Sequence, residues 1–458
     1  MAAPLVINGF KASMVAHTTT GLWRHPRSQA HRYNELGFWI EQARTLEEFG
    51  FDALFIADAL GVIDVYHGSA DQALREGLQT PSTDPTLVIS AMAAVTANLG
   101  FGVTIATSYA QPYELARRLS TLDHLTGGRI GWNVVTGSLD SAAVNLGLDS
   151  QVSHDTRYDI ADEFLEVGYK LWESSWDDDA VIADRESGVY VDPARVRPIA
   201  HSGRYFQVPG IHMSEPSPQR TPLILQAGSS ARGRDFAAKH AEVVFASAQS
   251  TVVLRGIVDD LRRRAELAGR DPQAIKILSI LTVIAGETDE EARAEFDSYR
   301  EYASIEGNLA RLAGTTHVDI GQVPLDSPLE YFDTPGIQGI LANFTKADPD
   351  RSWTPRQIAE HMAVSSFGPL VIGSPTTVAD ELERWVDEAG IDGFNLVDIM
   401  PGTSFRQFGE LVVPELEARG RFDRRYTGRT YREHLFGAGK PRLPADHPGA
   451  AFRRSPTA

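Results

Sequence analysis

The segment Leu119–Thr136 (LSTLDHLTGGRIGWNVVT) constrains the fold more than any other stretch. Leu115, Leu119, Leu122 and Leu125 recur at helical spacing, and Pro112 suits the first turn of that helix. Gly127 and Gly128 predict its end, because glycine enters the left-handed region without a Cβ penalty. Ile130–Val135 then reads as a short apolar strand of the kind a parallel sheet buries on both faces.

Helix-to-strand units of this kind recur. Leu5 to Phe10 is a strand candidate, and Leu36, Trp39, Ile40, Ala43 and Leu46 mark a helical face that Gly50 stops. Phe51 to Ala57, Gly100 to Ala106 and Ile130 to Val135 are further strands. A loop over 59–83, a helix from about Asp84 to Asn98 (Leu87, Ala91, Ala94 and Val95 on one face) and a helix Gln111 to Thr126 separate them. Ile160, Phe164, Val167 and Leu171 mark the next helix. Residues 175–220 break the rhythm and read as an insertion, with Tyr205 to Val208 as a possible hairpin strand. The rhythm resumes with strands Pro222 to Gln226, Val243 to Ala246 and Ile275 to Ile284, and with helices from about Ser230 and over Val252 to Ala268. Thr288-Asp-Glu-Glu291 has capping-box spacing. Residues 303–372 read as a second irregular insertion. A helix with Val378, Leu382, Trp385, Val386 and Ala389, a strand Phe394 to Ile399 and a helix Phe405 to Ala418 follow. Eight strands alternating with helices predict an α/β fold, a closed (β/α)8 TIM barrel over 1–418 with insertions at its loops. A doubly wound open sheet is the runner-up, but no glycine-rich dinucleotide loop follows Phe10.

Among 458 residues there is no cysteine, which excludes disulfides, zinc–thiolate and iron–sulfur ligation and a cysteine nucleophile; no metal site is expected. A net charge of −18 argues against duplex nucleic acid as partner. The N-terminus lacks the pattern of a signal peptide, and no run of 18 apolar residues occurs, so a cytoplasmic protein is expected, with no membrane partner. Residues 419–458 reverse the charge, with ten Arg and Lys against three Asp and Glu, a net of +7. This reads as a basic extension lying on an acidic surface, its own or a neighbour's.

Barrel chemistry sits at the C-terminal strand ends. Gly228-Ser-Ser-Ala-Arg-Gly233 follows a strand and opens a helix, so Ser229, Ser230, Arg232 and free N–H groups could cradle a phosphate; an ordinary serine cap is an even alternative. His154 and Tyr158, four apart, could contact a phosphate or ribityl chain, or simply begin a solvated helix. Asp58 could accept from a ring N–H or cap a turn, and His17 could act as acid or base or be structural. Thr104 to Ser108 and Asn133 to Thr136 end two further strands. Trp23-Arg-His-Pro26 and Tyr66-His67 are candidate pocket walls, and His124 is expected to be buried in its helix without a role. No HExxH, Walker, GxGxxG or GxSxG motif appears.

Gly21–Pro26 (GLWRHP), Phe51–Asp58 (FDALFIAD), Thr121–Val135, His154–Glu163, Glu215–Pro222, Gln226–Ser230 and Gly393–Val397 together resemble the bacterial-luciferase-like flavin monooxygenases. The branch they resemble contains the nitrilotriacetate, dibenzothiophene-sulfone, dimethyl-sulfide and long-chain-alkane enzymes. The resemblance covers nearly the whole chain. It implies a (β/α)8 barrel that binds FMN, as FMNH2 supplied by a separate NAD(P)H-dependent flavin reductase, with O2 as co-substrate. It implies a homodimer or homotetramer. Asp58 and Thr104 would lie near the isoalloxazine, and His154, Tyr158 and Ser230 near the phosphate. His17 is the one matching catalytic candidate. Met14 stands where the dimethyl-sulfide and alkane enzymes carry cysteine, and Ser138 and Arg311 where the alkane enzyme has histidines. The expected activity is transfer of one oxygen atom from O2 to a small, largely apolar sulfur compound, a thioether or sulfone. Alkane or aminopolycarboxylate oxygenation, a flavin- or deazaflavin-binding barrel without oxygenase activity, and a sugar-phosphate barrel enzyme are the alternatives.

Overall fold

The computed structural model describes residues 4–329, 353–365 and 368–453. Eight strands carry the fold: β1 (Val6–Ala12), β2 (Ala53–Ala57), β3 (Gly100–Ala106), β4 (Ile130–Val135), β5 (Leu223–Gln226), β6 (Val243–Ala246), β7 (Lys276–Ala285) and β8 (Gly393–Val397). Each pairs in parallel with the next; Val243 sits opposite Lys276, Leu278 opposite Gly393, and Val6 opposite Gly393, which closes the ring. The helices that cover them are α1 (Leu36–Glu48), α2 (Thr86–Ala93), α3 (Pro112–Thr126), α4 (His154–Tyr169), α5 (Ala231–His240), α6 (Thr251–Leu267), α7 (Pro375–Ala389) and α8 (Ser404–Ala418). The expected barrel is therefore the observed one, with every predicted barrel strand in place.

Alternate strand residues point to different layers. Phe101, Val103, Ile130, Trp132 and Val134 pack outward under the helices, while Val6, Phe10, Phe55, Leu225, Val243 and Leu278 fill the interior. The two-glycine stop forms as predicted: Gly127 N–H donates to the His124 carbonyl at 3.1 Å and Gly128 N–H to the Asp123 carbonyl at 2.8 Å, with φ of 66° and 90°. One expected face is rotated and another departs only at its last turn. On α2 the buried residues are Thr86, Ile89, Met92 and Ala93, and Leu87 is 77 % exposed; on α3, Leu115, Leu119 and Leu122 are buried as expected, but Leu125 and His124 face solvent while Asp123 is buried. The α3 face is set by Gln219, whose backbone and side-chain N–H groups both reach the Asp123 carboxylate, at 2.9 and 2.7 Å.

The insertion at 175–220 joins α4 to β5, so it hangs from the N-terminal end of the barrel, and it holds two short hairpins, Val181–Asp184 with Val189–Val191 and His201–Ser202 with Gln207–Val208. The insertion at 303–372 joins β7 to α7 at the opposite end. It is less irregular than expected: it contains helices Ile305–Thr316 and Pro355–His361, and a strand Leu370–Gly373 that pairs with Thr282–Ala285 of β7; the rest of 330–352 lies outside the described residues.

The basic tail lies on the chain's own acidic surface. Arg419 pairs with Asp380 and Glu383, and Arg453 with Glu173. At its centre the tail enters the barrel. Tyr431 is fully buried among the interior residues, where a Cβ on Gly100 would stand 2.7 Å from its ring and one on Gly131 3.2 Å. Arg432 beside it makes a buried two-pronged pair with Glu242, at 2.7 and 2.9 Å, and also donates to the Thr221 and Pro441 carbonyls. Removing the Tyr431 ring leaves a cavity that the surrounding glycines cannot fill. Tyr431→Ala is expected to lower unfolding free energy by about 3–5 kcal/mol, measured by urea denaturation; a loss under about 1 kcal/mol would mean that the ring is not a core element.

Candidate active site

The strand ends β1 to β5 present polar groups in succession around half of the mouth. On the interior side of β3, Thr104 Oγ1 accepts from Asn133 Nδ2 of β4 at 2.9 Å. This orients the Asn133 amide and leaves its buried Oδ1 without a protein partner among the described residues. Asp58 follows β2 and is half-buried; loss of water pushes its carboxyl up to about 6, and the neighbouring Asp84 carboxylate adds to the effect. Beneath them the interior is closed by aromatic rings: Phe10 stacks on Phe55 at 5.3 Å, and Phe55 meets Phe245 at 4.4 Å.

At β5 two helix N-termini converge. Ser230 caps α5, its Oγ accepting from Gly233 N–H at 3.0 Å. His154, the first residue of α4, places Nε2 3.2 Å from the same oxygen, and its Nδ1 lies 2.8 Å from Asp155. Tyr158, one turn on, is buried with its ring 5.2 Å from that of His154. A Cβ on either Gly228 or Gly233 would stand 2.7 Å from the Tyr158 hydroxyl, so only glycine lets the three segments approach this closely. The result is a polar cluster of hydroxyls, imidazole and the first N–H groups of α5, donors suited to a phosphate. Arg232 does not belong to it. Its guanidinium crosses the Tyr158 ring and pairs with Asp162 at 2.6 Å and Asp159 at 3.1 Å.

His17 lies across the mouth, beyond β1, with its ring edge-on to Phe10 at 5.7 Å. Burial first, and the Arg311 guanidinium second, pull its pKa down to about 4, so the imidazole is neutral at pH 7. Above it runs the helix Ile305–Thr316. Ser304 Oγ donates to Glu76 at 2.5 Å, Tyr66 hydroxyl to Glu306 at 3.0 Å, and Thr20 hydroxyl to the Ser304 carbonyl at 3.2 Å. Ile63, Tyr66, Leu78, Leu309 and Leu312 form an apolar cluster of their own beneath this roof. Tyr66 is thus a roof residue, while Trp23 is 44 % exposed.

The predicted site residues therefore fall into two groups. His154, Tyr158 and Ser230 meet in one cluster although 76 residues separate the outermost pair. His17, Asp58 and Thr104 stand on the successive ends of β1, β2 and β3, separate from that cluster. Asn133 was visible in the sequence only as part of a strand end; its signal is an amide at an interior-facing position of an otherwise apolar strand. The expectation that His124 is buried fails: it is exposed, with Nε2 3.1 Å from the Glu215 carbonyl.

A family model described as luciferase-like monooxygenase matches residues 13–393. The chain belongs to the luciferase-like monooxygenase family. It is 49% identical over 449 residues to the dimethyl-sulfide monooxygenase of Hyphomicrobium sulfonivorans, spanning 98% of this chain and 94% of that one. It is 50% identical over 454 residues to the long-chain alkane monooxygenase of Geobacillus thermodenitrificans (strain NG80-2), spanning 99% of each. A crystal structure of riboflavin lyase with modified FMN and riboflavin superposes with a TM-score of 0.92 at 36% identity, covering 99% of this chain and 100% of that one.

In this luciferase-like barrel the raised Asp58 carboxyl carries a stability signature. The folded state keeps the proton to about pH 6 whereas the unfolded chain loses it near 3.8, so stability falls as pH rises between those values and stays lowered above them. Asp58→Asn removes the charge and is expected to stabilise the apo-protein by up to about 3 kcal/mol at pH 7.5, with a smaller gain at pH 5. Thermal unfolding at the two pH values checks this; equal gains would place Asp58 in an ordinary solvated setting.

Proposed function

We propose that this luciferase-like enzyme is the oxygenating component of a two-component FMNH2-dependent monooxygenase acting on a small, largely apolar sulfur compound, a thioether or sulfone. The observation that carries the reading is the convergence of His154, Tyr158 and Ser230 on the N-terminus of α5. FMN fits the residues present. The cluster at the start of α5 has hydroxyl and N–H donors for a phosphate, and Asn133 Oδ1, without a partner among the described residues, is an acceptor for a ring N–H. The arc from β5 back to β1 gives a long cofactor a path across the mouth.

In this reading Ser230, His154 and Tyr158 hold the phosphate, and Asp58 and Thr104 border the isoalloxazine. Bound reduced FMN supplies the electrons with which O2 is split between substrate and water. Burial raises the Asp58 carboxyl to about 6, so below that pH it can donate a hydrogen bond where a solvated aspartate would only accept. The neutral His17 offers one N–H donor and one lone pair, so it can take and give a proton without holding a charge. The aromatic floor and the roof helix exclude water, which protects oxygen-transfer chemistry from side reactions.

The lack of a dinucleotide motif supports a separate NAD(P)H-dependent reductase as the source of FMNH2. The buried Arg311 guanidinium near His17 favours a polarisable sulfur over a long methylene chain as the group presented there. Oxygen uptake with FMN, NADH, a flavin reductase and panels of thioethers, sulfones, alkanes and aminopolycarboxylates tests the reading. Sulfoxide or C–S cleavage products support it, whereas flavin binding without substrate-dependent oxygen uptake points to a non-oxygenase. Ser230→Asp sets a carboxylate against the phosphate and is expected to weaken FMN binding by about tenfold or more, a cost of about 1.4 kcal/mol, read by fluorescence quenching. Unchanged affinity would remove Ser230 from the phosphate seat.

A further inference from the structure

His154, Tyr158 and Asp162 follow one another at four-residue intervals on α4, and all three face α5. The first two belong to the polar cluster at the start of α5. Asp162 grips the same helix at both ends. Its Oδ2 accepts from Arg232, the second residue of α5, at 2.6 Å, and its Oδ1 from Lys239 and His240, the last two, at 2.8 Å each. Burial pulls the His240 pKa down to about 4, so the ring is neutral at pH 7. With its Nε2–H given to Asp162, its Nδ1 accepts from the Tyr169 hydroxyl at 3.1 Å, which adds a further tie between the two helices.

The junction held in this way has little slack. A Cβ on Gly228 or Gly233 would stand 2.7 Å from the Tyr158 hydroxyl, and Ser230 Oγ lies 3.2 Å from His154 Nε2. Hydrogen bonds to a bound anion keep their strength over only a narrow range of distance. A slide of α5 along α4 would therefore take the Ser230 hydroxyl and the first N–H groups of the helix out of reach together. The Arg232 guanidinium lies over the Tyr158 ring at 5.4 Å, so the arm of the clamp nearest the cluster also packs on it. Arg270 holds the other side of α5, donating to the Ala238 and Ala241 carbonyls at 3.0 and 2.6 Å. It comes from the segment before β7 and fixes α5 to that neighbour, leaving the register on α4 to Asp162 and Tyr169.

We propose that Asp162 is a positioning residue of the cofactor site: it sets the register of α5 on α4 and so places the Ser230 hydroxyl and the first-turn N–H groups around the phosphate. The inference rests on that cluster being the FMN phosphate seat. Charge and position make opposite predictions here. A carboxylate repels a nearby anion, so on charge alone the loss of Asp162 would tighten FMN binding, whereas loss of register weakens it.

FMN and riboflavin, which share ring system and ribityl chain and differ in the phosphate, are titrated against wild type and variants by fluorescence quenching. Wild type is expected to bind FMN more tightly than riboflavin. Asp162→Asn is expected to weaken FMN by about tenfold, the worth of one hydrogen bond to a charged group, and to leave riboflavin affinity unchanged. Arg232→Lys keeps the charge but loses the planar fork and its stacking on Tyr158. It is expected to weaken FMN alone in the same way, and it decides the matter if Asp162→Asn does not fold. Tighter or unchanged FMN binding in the folded variants overturns the proposal. An equal loss for riboflavin also overturns it, because a general loosening of the helix pair does not distinguish the two ligands. A wild type that binds riboflavin as tightly as FMN overturns the phosphate seat itself, and the proposal falls with it.

Discussion

A ring of eight strands has an inside that must be filled, and this chain fills it from an unexpected source. Gly100, Gly102 and Gly131 leave one wall of the interior without side chains. Leu225, two strands along on β5, covers Gly102, and Tyr431, from the C-terminal tail, fills the space beside Gly100 and Gly131. Thr430 meanwhile packs on Gly128, and Tyr431 N–H donates to the Gly128 carbonyl at 2.9 Å. The glycines of the segment that sets the barrel's pattern are thus also the socket for the tail. A protein interior tolerates no void of that size cheaply, so strand composition and tail position are one constraint. Arg432 adds a charge at the same depth, which is tolerable because Glu242 and two carbonyls satisfy its donors.

The same device, glycine where a neighbour must come close, builds the opposite end. Gly228 and Gly233 admit the Tyr158 hydroxyl between strand end and helix start. This brings α4 against the first turn of α5 and puts His154 on the Ser230 hydroxyl. The chemistry of the seat follows from backbone geometry, since unbonded N–H groups at a helix start attract anions with no charged side chain. Arg232, the one cation among residues 228–233, pairs with Asp159 and Asp162, where it fastens α5 to α4.

Strands buried on both faces announce themselves as apolar runs, and so the barrel was legible throughout. Helix faces were less so. Periodicity gives the spacing of a face but not its bearing, and Leu87 and Leu125 show the cost: each continues an apolar series yet faces solvent. The roof helix escaped because its apolar residues pack on the loop after β2 and not on the barrel, so no alternation with a strand marked it. In the site, spacing could place His154 beside Tyr158 on one helix, but Ser230 arrives through the closing of the ring. Family resemblance supplied that grouping, where local pattern left it even. The plug role of Tyr431 had no signal, because a tyrosine in a basic, proline-containing tail looks like any exposed residue.

The two insertions show why one end of the molecule carries the chemistry. The segment at 175–220 lies between a helix and the next strand, at the end where the tail seals the barrel. The segment after β7 lies where the strands deliver Asp58, Thr104, Asn133 and His17. There it adds a second apolar cluster, tied to the loops after β1 and β2 by a few hydrogen bonds and separate from the barrel core. A cap of that kind can shift with the loss of few contacts while the barrel stays intact. Its presence also sets the protonation of the groups beneath. The desolvation that raises the Asp58 carboxyl also depresses His17 and pulls the Arg311 guanidinium down to about 9. Keeping water from the mouth, raising the Asp58 carboxyl and holding His17 uncharged near neutral pH are therefore one physical condition. A change that wets the roof would alter the proton inventory of the site even if no residue touching the substrate were replaced.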